Sequence, residues 1–157
     1  VTLNAQIKAM KTRSIFLFLL IISAYSCGKD DPVIELPFLN ARADGIVKDC
    51  NIVSVTLVGS ALQINGQNTA GDVLFILTIN NYTSGQIGTF NIGPGNFTTA
   101  SYKEGSIFYS AGTSSGSGRI QITNSNSTGI QGTFEFTGIS TTGTSKLITE
   151  GRFSAYY

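Results

Sequence analysis

The 157-residue chain contains no histidine and no tryptophan, and it carries only one methionine, two cysteines and three prolines. Without histidine, the Ser-His and Cys-His nucleophile pairs and the usual zinc ligand sets are excluded. A lysine-activated serine is formally open, but no spacing in the chain suggests one. The lack of tryptophan weakens the case for a ring platform that stacks on sugars. Charged residues make up only 12% of the chain, and no run of lysine or arginine supplies the footprint of a phosphate backbone, so nucleic acid is not an expected partner. No Asp-x-Asp-x-Asp calcium loop occurs, and Gly93-Pro94-Gly95 lacks the Lys-Ser/Thr of a phosphate cradle. No cofactor and no metal is expected. Paired carboxylates are the remaining route to hydrolytic chemistry, drawn from Asp44, Asp49, Asp72, Glu104, Glu135 and Glu150. Turn, loop or exposed strand positions account for Asp44, Asp72, Glu135 and Glu150, so the chain is expected not to be an enzyme.

What the chain does contain begins with a sorting segment. Met10 is followed by Lys11 and Arg13, then by the apolar run Ile15-Phe16-Leu17-Phe18-Leu19-Leu20-Ile21-Ile22, then by Ser23-Ala24-Tyr25-Ser26-Cys27. A positive start, a short apolar run and small residues before a cleavage point are the parts of a secretory signal. At ~1.5 Å per residue the run falls well short of the ~30 Å hydrocarbon core, so a permanent membrane helix is the poorer reading. Residues 1 to 9 precede the only methionine and are read as upstream sequence, with Met10 as the start. Ala24-Tyr25-Ser26-Cys27 resembles the lipobox of bacterial lipoproteins, with ordinary cleavage near Ser26 as the alternative. Lipidation is expected at Cys27, and several acyl chains at ~0.8 kcal/mol per buried CH₂ would hold the protein at a bilayer. The first 26 residues are thus assigned to upstream sequence and signal peptide. After cleavage seven Lys and Arg stand against nine Asp and Glu, a net charge of −2. Cys50 has no partner for a disulfide once Cys27 carries lipid, and it reads as a small buried hydrophobe.

Residues 27–37 hold the lipidated cysteine and a tether interrupted by Pro32 and Pro37, and residues 38–157 form the folded domain. Beyond Phe38, short apolar stretches separated by Gly, Asn, Ser and Thr predict an all-β fold. The expected architecture is an antiparallel sandwich or barrel of about eight to ten strands. Ile120 and Ile122 alternate with Arg119, Gln121 and Thr123, and Phe134 and Phe136 with Thr133, Glu135 and Thr137, as strands with one wet face do. Residues 73–79 are apolar in both alternating sets and are expected to form the most central strand, covered on both faces. Leu147, Phe153, Ala155 and Tyr157 share one parity of a long C-terminal strand expected to close the sheet. Asp44-Gly45 suits a two-residue hairpin turn. Asn65-Gly66, residues 93–96, residues 114–117 and Thr142-Gly143 are expected loops. Tyr82, Tyr102, Tyr109, Tyr156, Tyr157, Phe97 and Phe108 could fill a core or supply rings for a ligand.

The lipobox, the segment Gly132-Thr133-Phe134-Glu135-Phe136-Thr137-Gly138, the ending Ile148 to Tyr157 and Ala41-Arg42-Ala43-Asp44-Gly45 together resemble an uncharacterised family of small β-rich outer-membrane lipoproteins of the Bacteroidota. That family supplies no catalytic residues to carry over. Gly28-Lys29-Asp30-Asp31 resembles the lipoprotein export signal of that phylum, so Lys29, Asp30 and Asp31 imply display at the cell surface; a merely solvated linker is the alternative. The expectation is a lipid-anchored outer-membrane domain in surface interaction or envelope structure, with a surface glycan or an envelope protein as partner. The competing reading is a module that binds a glycan or a small apolar molecule, whose ligand residues the sequence does not name.

Overall fold

The computed structural model describes residues 34–157, so the signal segment, Cys27, Lys29, Asp30 and Asp31 lie outside the described residues. Among the described residues all regular structure is strand. In chain order these are β1 (Phe38–Ala43), β2 (Ile46–Cys50), β3 (Ile52–Val58), β4 (Ala61–Gln67), β5 (Val73–Ile79), β6 (Gly88–Ile92), β7 (Thr99–Glu104), β8 (Ile107–Ala111), β9 (Ser117–Ser125), β10 (Gly129–Ile139) and β11 (Ser145–Tyr156). The all-β antiparallel expectation holds. There are eleven strands because a single residue, Asn51, parts β2 from β3.

The hydrogen-bonded path runs β2-β1-β11-β10-β8-β7-β5-β4-β3, beginning and ending on strands that are consecutive in the chain, and the sheet therefore curls into a nearly closed barrel. Asn51 marks the seam, where its N–H donates to Gln67 O at 2.9 Å. Strand β10 serves two neighbours on one edge, β9 from Ile130 to Thr137 and β8 at Ile139. Beyond β9 lies β6. At the β1–β2 hairpin Asp44 and Gly45 have φ of 46° and 81°, the two left-handed positions that match a tight turn to the twist of its strands.

Inward residues alternate along each strand and fill the barrel axis. Leu39, Leu62, Ile64, Phe75, Leu77, Ile79, Tyr102, Ile120, Ile122, Ile130, Phe136 and Phe153 are all buried within it. The rings need room, and glycines across the ladder provide it. Gly151 faces Phe134 and Gly132 faces Phe153. A Cβ on Gly151 would lie 2.7 Å from Phe134 Cδ1, and one on Gly132 2.6 Å from Phe153 Cζ. The Gly-Thr-Phe-Glu-Phe-Thr-Gly segment is thus a packing code in which Gly132 accommodates the Phe153 ring and Gly138 the close approach of Tyr109 on the next strand.

Three expectations change. Asn65-Gly66 is no loop but lies inside β4, where Gly66 pairs with both Val53 and Phe75. Glycine stands there because a Cβ would come within 2.7 Å of Cys50 Sγ. Strand β5 is flanked by β4 and β7 and buries Phe75, Leu77 and Ile79, but its outward Leu74 and Ile76 are only half-buried, since a barrel offers one interior. In β11 the inward parity changes partway. Ile148 is buried and Leu147 exposed, whereas Gly151, Phe153 and Ala155 are buried further on. A bulge here, with Thr149 and Glu150 opposite Glu135 on β10 and Glu150 and Gly151 opposite Ala41 on β1, adds the extra residue that flips the alternation. Strand β11 lies between β1 and β10, so it joins the first strand to the last hairpin, while the barrel's seam falls at Asn51. Packing also starts before β1, with Ile34 buried and Glu35 O accepting a 2.6 Å hydrogen bond from Ser154 Oγ.

Cys50 is buried, as expected of a small hydrophobe. Burial, with Asp49 nearby, pushes its thiol from an ordinary 9.0 up to about 12. Between those values the unfolded chain ionises this thiol and the folded chain does not, so stability falls by about 1.4 kcal/mol per pH unit above 9. Urea unfolding at pH 9 and pH 10.5 is expected to show parent protein losing about 2 kcal/mol more than Cys50→Ala. Equal losses would mean that the thiol titrates normally.

Candidate functional site

Both ends of the barrel are occupied by its own side chains. At one, Lys146 turns inward ahead of the bulge and places Nζ 2.8 Å from Glu104 and 3.1 Å from Asp44, with Tyr109 beneath it at 5.3 Å. Tyr102 donates its phenol proton to Glu104 at 3.2 Å, and Leu147 N–H donates to Asp44 at 3.0 Å. The backbone N–H of Leu147 and then Lys146 hold Asp44 below the ordinary carboxylate range, and Lys146 likewise lowers Glu104. These two acids are consumed in closing the barrel. At the other end Tyr82 is buried, and its hydroxyl lies 2.8 Å from Ser125 Oγ and 3.2 Å from Tyr157 OH. Burial raises the Tyr82 phenol to about 12.

The aromatic residues divide accordingly. Tyr82, Tyr102 and Tyr109 belong to the core, while Phe97, Phe108, Tyr156 and Tyr157 are exposed. The exposed rings do not form one platform: Phe108 on β8 receives Lys103 at 5.6 Å, whereas Tyr157 joins the Tyr82 end. No ring–ring contact links any of the four among the described residues.

The concave feature with the richest chemistry lies on the outside, over β9, β10, β11 and β1. Three hollows of about 480, 310 and 270 Å³ adjoin there. Thr133 and Arg152 border both the first and the third, and Glu135 both the first and the second. Register sets the side chains in rows. Asn40, Arg152, Thr133 and Gln121 stand side by side across four strands. Beside them Arg42 pairs with Glu150 at 2.9 Å and Arg119 with Glu135 at 3.0 Å. Of the six acids considered for a hydrolytic pair, Glu135 and Glu150 thus line one trench, each neutralised by its own arginine. Exposed pairs of this kind are worth ~0–1 kcal/mol, so they arrange charge more than they stabilise.

Glu150 sits at φ 52° in the β11 bulge. The left-handed region costs a non-glycine residue ~1–2 kcal/mol, and a bulge of this kind commonly uses glycine. A single exposed ion pair does not repay that strain. The observed effect of the bulge is to aim the carboxylate into the trench. Arg152, two residues on, is exposed and has no carboxylate within 4.0 Å among the described residues. Among the described residues no cluster of three or more His, Cys, Asp or Glu could hold a metal.

The expected site residues Cys27, Lys29, Asp30 and Asp31 lie outside the described residues. The sequence marked Arg119, Gln121, Thr133 and Glu135 as wet-face positions but did not gather them into a site, because their adjacency depends on register between distant strands. Glu150 and Arg152 read on the wet parity of the C-terminal strand and are exposed there, whereas Lys146, of the same parity, turns inward ahead of the bulge and Ser154 is buried. No curated protein and no solved structure matches the chain. A family model does match residues 36–155, nearly the whole described domain. The strands and the trench assembled above accordingly belong to a member of the family described as Domain of unknown function (DUF6252).

Proposed function

We propose that this chain is a lipid-anchored β-domain of the outer membrane that works in surface interaction or envelope structure and carries out no catalysis. In this reading lipid on Cys27 holds it to the membrane, Lys29, Asp30 and Asp31 direct it to the cell surface, and the family is one of Bacteroidota lipoproteins. The observation that carries the reading is a filled barrel, closed by side chains at both ends, whose unengaged polar groups point outward over β9, β10, β11 and β1. Such a molecule meets partners with its outer face. The charged rows on that face also argue against strands bathed in lipid, where outward arginines near the bilayer midplane cost ~2–4 kcal/mol each. A link to the membrane therefore has to come from outside the barrel, and the lipobox-like Ala24-Tyr25-Ser26-Cys27 supplies one.

The second reading, a ligand-binding module, is favoured in one of its forms by the trench. Capture of a small apolar molecule inside the barrel finds rings where such a ligand would lie. Binding of a polar chain on the outer face meets no such obstacle.

Intact mass and protease shaving of whole cells, compared between native protein and Cys27→Ala, test the main reading. The expected result is a lipid-sized mass increment that the variant lacks, with the native protein cut at the surface. A native protein without the increment would overturn the anchor. A lipidated but protected protein would overturn surface display.

A further inference from the structure

We propose that the trench over β9, β10, β11 and β1 binds an acidic oligosaccharide, with Arg152 receiving a carboxylate of the sugar chain. The inference rests on the reading of the outer face as the interacting face, and it is independent of the anchor.

Charge selects the anion. Glu150 and Glu135 are matched by Arg42 and Arg119 at 2.9 and 3.0 Å, which leaves Arg152 as the uncompensated cation of the trench among the described residues. Its neighbours in the row, Asn40 and Thr133, are neutral. Glu35 and Phe38 border the next hollow beside Arg152, and Glu35 makes no ion pair with it. A guanidinium presents a planar fork that fits a carboxylate through two hydrogen bonds.

Shape selects a chain. The three hollows share lining residues and follow β10 from Gln131 to Thr137, a path of ~20 Å at ~3.3 Å per residue. The trench lies over the face of strands already paired on both sides, β10 with β9 and β11, and β11 with β10 and β1. An extended peptide would find no free backbone edge there, which is how peptides usually add to sheets. Sugar hydroxyls need side-chain donors and acceptors instead, and Asn40, Thr133, Glu135 and Glu150 offer both kinds. The bulge that aims Glu150 outward gives the trench one of its acceptors.

The test uses the full chain on a surface printed with uronate-bearing, sialate-bearing and neutral oligosaccharides, with polyglutamate and inorganic phosphate as competitors. Retention of acidic over neutral sugars is expected, with at least a tenfold loss in Arg152→Gln, a smaller loss in Arg152→Lys, and weakening by salt. Arg152 is exposed, so both variants should keep the parent's thermal midpoint, and that midpoint is measured alongside. Equal retention of neutral and acidic sugars, no retention of any acidic sugar, or full binding by Arg152→Gln would overturn the proposal. Displacement by polyglutamate at lower concentration than by free acidic sugar would assign the trench to an acidic protein. Displacement by phosphate at lower concentration than by free acidic sugar would reduce it to a bare anion site. Either result would sink the saccharide, whereas failure of the Cys27→Ala comparison would leave this proposal standing.

Discussion

Alanine in place of Gly132 is expected to destabilise the domain by about 3 kcal/mol, the upper end of what overpacking usually costs. The added Cβ would overlap Gln121 O and stand 2.6 Å from Phe153 Cζ. Neither neighbour has an easy retreat. Gln121 O belongs to the backbone of β9, whose residues on either side are paired with β10. The Phe153 ring is buried against Phe134, with centroids 6.4 Å apart. Since one obstacle is backbone, trimming the ring should not restore the parent, and Gly132→Ala with Phe153→Leu is expected to remain well below it. Alanine at Gly143, in a loop with open space around the position and φ of 82°, isolates the backbone penalty; a cost of ~1–2 kcal/mol is expected there. Urea midpoints of the three variants decide the matter. If Gly132→Ala costs no more than Gly143→Ala, then the sheet yields to the methyl and the proposed packing code is wrong.

The opposite change should be costlier still. Phe134→Ala removes a ring that touches Phe75, Phe136 and Phe153 at centroid distances of 5.7, 6.4 and 6.4 Å. Truncations of this kind cost about 3–5 kcal/mol, depending on how far the surroundings collapse. Collapse is restricted here because the residue opposite on β11 is Gly151, which has no side chain to swing into the void. The upper half of that range is therefore expected, with Phe134→Leu losing far less. Chemical unfolding of both variants provides the check, and a loss under ~2 kcal/mol for alanine would show that the neighbouring rings repack.

These two positions also indicate what could be read in advance. The alternation of Phe134 and Phe136 with Thr133, Glu135 and Thr137 reveals a strand with one dry face, because side-chain direction in a strand has a period of two. It does not reveal why Gly132 and Gly138 flank the rings, since the reason lies on other strands. Gly138 would meet Tyr109 on β8, and Gly132 meets Phe153 on β11. Asp44-Gly45 was legible because a type of turn dictates its residues locally. Asn65-Gly66 carries the same local signature and yet lies within β4, where the space beside Cys50 and Leu39 favours glycine. The C-terminal strand is the sharpest case. Alternation places Leu147 with Phe153, but the inserted residue at Thr149 and Glu150 turns Leu147 to solvent and Lys146 toward Glu104 and Asp44. A bulge leaves little trace in composition, so the sequence placed Glu150 and Arg152 outward but did not show the inward turn of Lys146.

The pairing of β1 with β11 has a further consequence for the order in which the molecule can assemble. Phe38 lies opposite Ser154, with almost the entire described chain between them. Closing so long a loop is entropically unfavourable until other contacts have shortened it, and ladders between distant segments form slowly. β11 also brings Ile148, Phe153 and Ala155 into the core. A chain that emerges from its N-terminus can build the β3–β4–β5 meander early, but β1 has no partner on the β11 side until Ser145–Tyr156 arrive. Completion of the barrel thus waits for β11, and a chain that crosses a narrow channel would do so before its interior is complete.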